Sequence, residues 1–324
     1  MTRWADVREE YRGQAIYWRL MLTGALSLGR LLITSAGDVK RLRQTTPAEE
    51  HYVRPPRGYD LPAYEPGMKV STSREKYLRP TRACDHRAPE IIALAHHLGA
   101  YAKSDHDFAQ AAFEFVKERV LLEICPIDGV AETVRRGTGT CFHLISVFIA
   151  LCRAAGIPAR YKMFSINMIQ AWRAAMIDAD PLVQKWYDAV GYFMLEGEGE
   201  AFVDGRWIVA HVGPTAERQA AAGIPITRFG EDAIGIWFSA RPGTTMRLES
   251  LPLGLASASR FLHRLAPGSM ERVNVSVQKQ TEAGRQVLAE AGGARAYDAR
   301  VRKALGPEAP SIDLTPRSEI VFTE

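Results

Sequence analysis

The stretch from Gly137 to Arg160 limits this chain's fold more than any other: Gly-Thr-Gly-Thr-Cys-Phe-His-Leu-Ile-Ser-Val-Phe-Ile-Ala-Leu-Cys-Arg-Ala-Ala-Gly-Ile-Pro-Ala-Arg. A glycine-punctuated loop ends at Thr140, and an apolar run opens at Cys141 and stops at Gly156, with Pro158 just beyond. Glycine one step past a helix, with proline soon after, is a stop signal. Cys141 is therefore expected at a helix N-terminus, where unpaired N–H groups and the positive dipole end stabilise an anion. A thiol in that place is expected to have a lowered pKa and to be nucleophilic. The opposing reading is inert packing, the usual fate of a lone cysteine. Cys152, deep in the same run, is read as packing.

The Gly-x-Cys loop, the apolar helix and the closing Arg153-Ala154-Ala155-Gly156-Ile157-Pro158-Ala159-Arg160 together resemble the core of the transglutaminase-like superfamily. The resemblance runs from about Tyr77 to Phe238. It implies an α+β fold in which the helix carrying the cysteine packs on an antiparallel sheet, with helical extensions at both ends. The division expected is an N-terminal helix and proline-rich strap over 1–76, a core over 77–240 with a helical insert at 166–190, and a C-terminal helical extension over 241–324.

Bulk properties leave room for this and narrow the partners. At 324 residues the chain can bury a sizeable core. A net charge of +4 without a dominant Lys/Arg block gives no reason to expect a nucleic-acid partner. Cysteines 84, 125, 141 and 152 form no CxxC pair and no dense framework. With no obvious export signal, reduced thiols in a cytoplasm are expected. Leu20 to Ile33 is apolar but interrupted by Arg30 and two glycines, so a docked amphipathic helix is expected rather than a membrane span. Nothing asks for a cofactor, and the C-terminal extension could serve as a cap or as a homo-oligomer contact.

Along the chain, residues 3–34 read as helical, and prolines 47, 55, 56, 62, 66 and 80 mark an extended strap laid on the core by its tyrosines. Helices are expected over Glu90–Ala100 and after the Ser104-Asp105 cap, matching the pair that precedes the superfamily's nucleophile. His96 and His97 are adjacent and so point about 100° apart, which rules out a shared metal face. His143 is read as a core histidine. A short strand at Tyr161–Phe164 precedes the insert, whose second helix is capped by Asp180 with Pro181 in its first turn. The insert's Trp172, Trp186 and Tyr187 are either extra core or a substrate-contacting wall. A hairpin turning at Asp204-Gly205 follows, then a strand or a loop edge returning to the sheet over Ile224–Phe238, and helices at Ser257–Leu265 and Thr281–Leu305.

The resemblance implies a Cys-His-Asp triad whose last two members lie on that hairpin. Aligned on Asp204-Gly205-Arg206-Trp207, the histidine position holds Glu196, the neighbouring tryptophan position holds Glu198, and the aspartate position holds His211. A two-residue turn sets His211 opposite Glu198, with Glu196 diagonal on the same strand face. Either acid could orient the imidazole, which would then take the thiol proton. If His211 falls short, Glu196 faces the sulfur in a Cys–Glu–His order, and one proton is shared between two groups that repel as anions.

Three functions follow. The first is cysteine-dependent acyl transfer through a thioester on Cys141, making or hydrolysing an amide on a peptide or small molecule. The second is a non-catalytic scaffold with a drifted triad. The third is a metal-dependent enzyme using Cys141, Glu196 and His211 as ligands.

Overall fold

The computed structural model describes residues 4–42, 50–190, 193–232 and 238–305. Helix α1 (Trp4–Thr34) and the short α2 (Ala36–Leu42) lead into the strap. Over Arg8–Thr34, α1 is long and apolar enough to cross a membrane by length and composition. In the fold one of its faces is docked: Tyr17, Leu20 and Leu31 are buried, and Gly13 lies against Leu248 so closely that a Cβ would come within 2.9 Å.

The strap from residue 50 to 88 contains no helix or strand. It is fastened to the core by polar contacts: Arg54 pairs with Glu123 at 2.8 Å, and the Tyr59 hydroxyl donates to the Val134 carbonyl at 2.8 Å. The part of the expected strap at 45–49 lies outside the described residues.

Helices α3 (Pro89–His97) and α4 (Asp105–Arg119) come next, with Ser104 capping α4 through the Asp107 N–H. Strand β1 (Leu121–Leu122) pairs in parallel with β2 (Thr138–Gly139), across α5 (Val130–Arg136). Helix α6 (Cys141–Ala154) then runs through the middle of the molecule, every residue from Phe142 onward buried. It packs on α3, α4, α5 and the sheet. Its C-terminus has a physical reason in the closing motif. Gly156 takes φ +85°, its N–H bonds the Arg153 carbonyl, and the Ile157 N–H bonds the Cys152 carbonyl at 2.9 Å. This double closure needs a left-handed residue, which glycine supplies without strain. The Arg153 side chain, fully buried, donates to the carbonyls of Arg79, Ala159 and Glu249 and so ties the helix end to the sheet.

Strand β3 (Ala159–Met168) is longer than the four residues expected and is central in the sheet. The insert follows as α7 (Gln170–Met176) and α8 (Pro181–Val190), the latter capped by Asp180, whose Oδ1 accepts from the Leu182 and Val183 N–H groups. Strands β4 (Phe193–Val203) and β5 (Arg206–Ala210) form the hairpin. Asp204 and Gly205 take φ +53° and +75°, the pair of left-handed residues that a tight hairpin turn requires. The register places Gly199 opposite Ala210, which sets His211 beyond it against Glu198.

The C-terminal third corrects the sequence reading in several places. A short helix α9 (Ala216–Ala221) was not anticipated, and residues 224–232 are not a strand. The part of that expected edge at 233–237 lies outside the described residues. Strand β6 (Phe238–Ala240) and the unanticipated β7 (Met246–Leu248) both pair antiparallel with β3, so the sheet draws on residues beyond Arg241. Helices α10 (Leu255–Leu265), α11 (Pro267–Glu290) and α12 (Ala294–Leu305) finish the described chain, and α11 starts well before the expected Thr281. The fold is α+β, with the cysteine helix on an antiparallel sheet and helices added around it.

Candidate active site

The thiol is placed by a clamped helix start. Thr140 is the N-cap of α6, and its N–H donates to His143 Nδ1 at 2.9 Å, a capping arrangement with histidine where glutamate is usual. The other ring nitrogen, Nε2, lies 3.0 Å from both the Asp128 backbone nitrogen and Asp128 Oδ1. Burial opposes the ionised Asp128, but the hydrogen bonds from His143 and Arg136 outweigh it and hold its pKa down to about 2. His143 is therefore more than a core histidine: it fixes the loop that presents Cys141. Gly139 makes room for it, since a Cβ there would lie 2.5 Å from the Cβ of His143.

The opposing wall is β4. Its alternation Glu196-Gly197-Glu198-Gly199-Glu200 puts glycines toward α6, where a Cβ on Gly199 would come within 2.5 Å of Phe148 Cδ1. The three glutamates meet different fates. Glu200 pairs with Arg160 at 2.6 Å and Glu198 with Lys162 at 2.9 Å, each its cross-strand neighbour on β3. Lys162 also reaches Asp232 at 2.9 Å. Glu196 lies opposite Phe164, beside an irregularity in the β3–β4 register, and has no cation across from it. Its carboxyl instead accepts the Gly197 N–H at 3.0 Å and sits beside the Cys141 thiol. Gly213 marks where the groups converge: a Cβ built there would stand 3.4 Å from the Cβ of Cys141, 3.5 Å from Glu196 Oε1 and 3.9 Å from His211 Nε2.

Electrostatics overturn one expectation. The Cys141 thiol is pushed well above its ordinary pKa by burial, and further by the charge and hydrogen bond of Glu196. The Phe142 N–H and the Arg218 charge pull the other way without prevailing. The helix-terminus effect is thus real but smaller than desolvation plus an adjacent acid. Glu196 is raised to about 7 by burial, against the lowering effect of the Gly197 N–H, the thiol and Arg218. His211 is driven well below its usual value by burial and by the charges of Lys117 and Lys162, so its imidazole is neutral. Lys117 itself is buried, donates to the Pro214 carbonyl at 2.9 Å and is lowered to about 7 by desolvation. The thiol and Glu196 therefore form a pair with one proton between them above about pH 7 and two below it.

Cys141 and Glu196 line a cavity of about 280 Å³. Trp172 and Trp186 of the insert also line it. Tyr187 does not: neighbouring positions on α8 point about 100° apart, and Tyr187 packs behind the cavity wall in the cluster that holds Trp172 and Met176, beneath the Arg173 guanidinium. Arg218, absent from the sequence reading, lines the cavity from α9. A six-residue helix gives too few turns for a periodicity signal, so the sequence carried no local mark of it. Among the described residues no three His, Cys, Asp or Glu side chains are grouped so as to hold a metal ion. The charges of Lys117 and Lys162 on His211, and of Arg218 on Glu196, also make a poor setting for a cation. The metal-centred reading of Cys141, Glu196 and His211 is accordingly set aside.

Residues 92–210 match the family model of the transglutaminase-like superfamily. No curated protein matches the chain. A solved structure from Cytophaga hutchinsonii, described as a "Putative Cysteine Protease", is 19% identical with a TM-score of 0.31, over 42% of this chain and 40% of that one. The match thus spans less than half the length of either. The region from residue 92 to 210 has the transglutaminase-like fold of the papain-like superfamily, one that hosts thiol-based catalysis.

Proposed function

We propose that the chain is a cysteine-dependent acyl-transfer enzyme in which Glu196 handles the thiol proton. The observation that carries this is the convergence of the Cys141 side chain and the Glu196 carboxyl beside Gly213, at the start of α6 and facing a cavity. With Glu196 ionised, the S–H donates to the carboxylate. Attack on an amide or thioester carbonyl passes that proton to Glu196, forms the C–S bond and moves the carbonyl electron pair onto oxygen. Backbone N–H groups at the helix start are placed to receive the oxyanion. Collapse expels the leaving group, which takes the proton from Glu196. Water or an amine then attacks the thioester, Glu196 accepts its proton, and the thiol is restored. His211, neutral and buried, acts as a positioning residue for this pair.

A non-catalytic scaffold is the second reading, favoured by the raised thiol pKa. The two part on one measurement. Incubation with a p-nitrophenyl ester, followed by intact mass and peptide mapping, is expected to give an acyl adduct on Cys141. The Cys141→Ala variant should give none, and the rate should rise with pH through about 7. No adduct at any pH would return the chain to the scaffold reading.

A further inference from the structure

Arg218 has no part in the steps above, and its environment is unusual. It is 0% exposed. Its Nε donates to Gln280 Oε1 at 3.0 Å, while Nη1 and Nη2 are buried with no hydrogen-bond partner among the described residues. Its guanidinium carbon stands 5.4 Å from the centre of the Trp172 ring, which holds the fork in place. A buried guanidinium left half unbonded is costly, so the fold retains two donors free to bind a ligand in the cavity. A planar two-nitrogen fork matches a carboxylate.

Most of the remaining wall is hydrocarbon, among it Leu28, Leu31, Ile124, Leu262, Met270 and Val273, with Glu196, Thr140, Ser259, His263 and Ser269 as its polar members. Its volume of about 280 Å³ is room for roughly nine groups of the about 30 Å³ that one water occupies in the liquid. A guanidinium fork in a mostly apolar cavity that Cys141 and Glu196 also face has a matching ligand in a molecule with one anionic group and one aliphatic chain.

We infer that the substrate is an amphiphilic carboxylate: a medium-length aliphatic acyl chain, amide-linked to a unit bearing a carboxylate. The chain fills the cavity, the amide carbonyl meets Cys141, and the carboxylate takes the Arg218 fork. The carbonyl's place at sulfur rests on the acyl-transfer reading, whereas the chain and carboxylate sites rest on the cavity and Arg218. In the reaction the sulfur forms the C–S bond of an acyl thioester as the amide C–N bond breaks. The amine leaves with the Glu196 proton and carries the carboxylate away. Water then cleaves the thioester to a free fatty acid and restores the thiol.

The test measures binding and chemistry separately. Calorimetry on the full chain as Cys141→Ala compares decanoate with decanol, which share a chain and differ in charge. Decanoate is expected to bind at least about tenfold more tightly, the worth of a hydrogen bond to a charged group. In Cys141→Ala/Arg218→Gln this preference should vanish while decanol still binds. Equal binding of the two ligands to the Cys141→Ala protein overturns the inference, and that comparison does not depend on the arginine variant folding. N-decanoylglycine is then offered to the unsubstituted chain and an acyl-enzyme is sought by mass. A carboxylate preference without an acyl-enzyme upholds the ligand assignment and counts against acyl transfer. An acyl-enzyme without the preference does the reverse.

Discussion

Glu196, Glu198 and Glu200 are the same side chain repeated every second residue, yet their surroundings make three different groups of them. Two are claimed by cations on the next strand, at 2.9 Å and 2.6 Å. The third, opposite Phe164, meets a thiol and titrates near 7. Below that pH the pair is fully protonated and lacks a base, so kcat/KM for an ester substrate is expected to rise through about pH 7. Glu196→Gln should remove the rise and lower the plateau by about 10²–10⁴-fold; an unchanged profile would transfer the base role elsewhere. The same shift has a stability consequence with the opposite sign. Glu196 binds its proton more tightly folded than unfolded, so its favourable contribution is complete below about pH 4.5 and lost as pH rises through 7. Glu196→Gln should therefore be more stable than the parent above pH 7, by on the order of 3 kcal/mol at most, read as a higher melting temperature there and a flatter dependence of it on pH between 4.5 and 7. Strand alternation and the Asp204-Gly205 turn made the opposed residues legible in advance, because the period of a strand is two. Which acid reaches sulfur was not legible. It depends on the register irregularity at Phe164–Ile166 and on cations from β3 and α9, which no local pattern encodes.

The contact between α6 and β4 is what brings thiol and carboxyl together, and glycine sets its closeness. Gly197 and Gly199 leave β4 bare where Ile145 and Phe148 of α6 press on it. Gly199→Ala would put a methyl group 2.5 Å from a ring carbon of Phe148 in a fully buried position. Overpacking of this kind costs about 1–3 kcal/mol, to be read as a fall in the denaturation midpoint without a change in slope. Phe148→Val should cost less on that background than in the parent, because it removes the δ and ε carbons that clash; purely additive losses would mean the strain lies in the backbone. The helix itself was legible because both ends carry strong signals, the Thr140 cap and the Gly156-Ile157-Pro158 stop. Strand β7, at three residues, and helix α9, at six, are stabilised by what they pack against, and their sequences lack such marks.

Across the whole molecule, the thiol–carboxyl pair and much of the cavity it faces are drawn from different parts of the chain. Cys141 and Glu196 lie within the matched 92–210 stretch, together with Trp172 and Trp186 of α7 and α8. Leu28 and Leu31 of α1, and Leu262 and Met270 of α10 and α11, close the cavity from outside that stretch. A core surrounded this way can keep one reaction while its substrate is set by elements that never touch the reacting atoms. That division is testable at Leu262, half-buried on α10 and on the cavity wall. Leu262→Trp enlarges a side chain into open volume, where overpacking has less to displace than in a filled core. It should shorten the chamber without altering the thiol–carboxyl pair. Acylation by p-nitrophenyl decanoate and p-nitrophenyl acetate is the measurement, taken as a ratio of kcat/KM values so that effects common to both esters cancel. The unsubstituted chain is expected to favour the decanoyl ester, since each buried methylene contributes about 0.8 kcal/mol. The tryptophan should move the ratio toward acetyl by tenfold or more, and a ratio that stays put would mean the chain lies elsewhere.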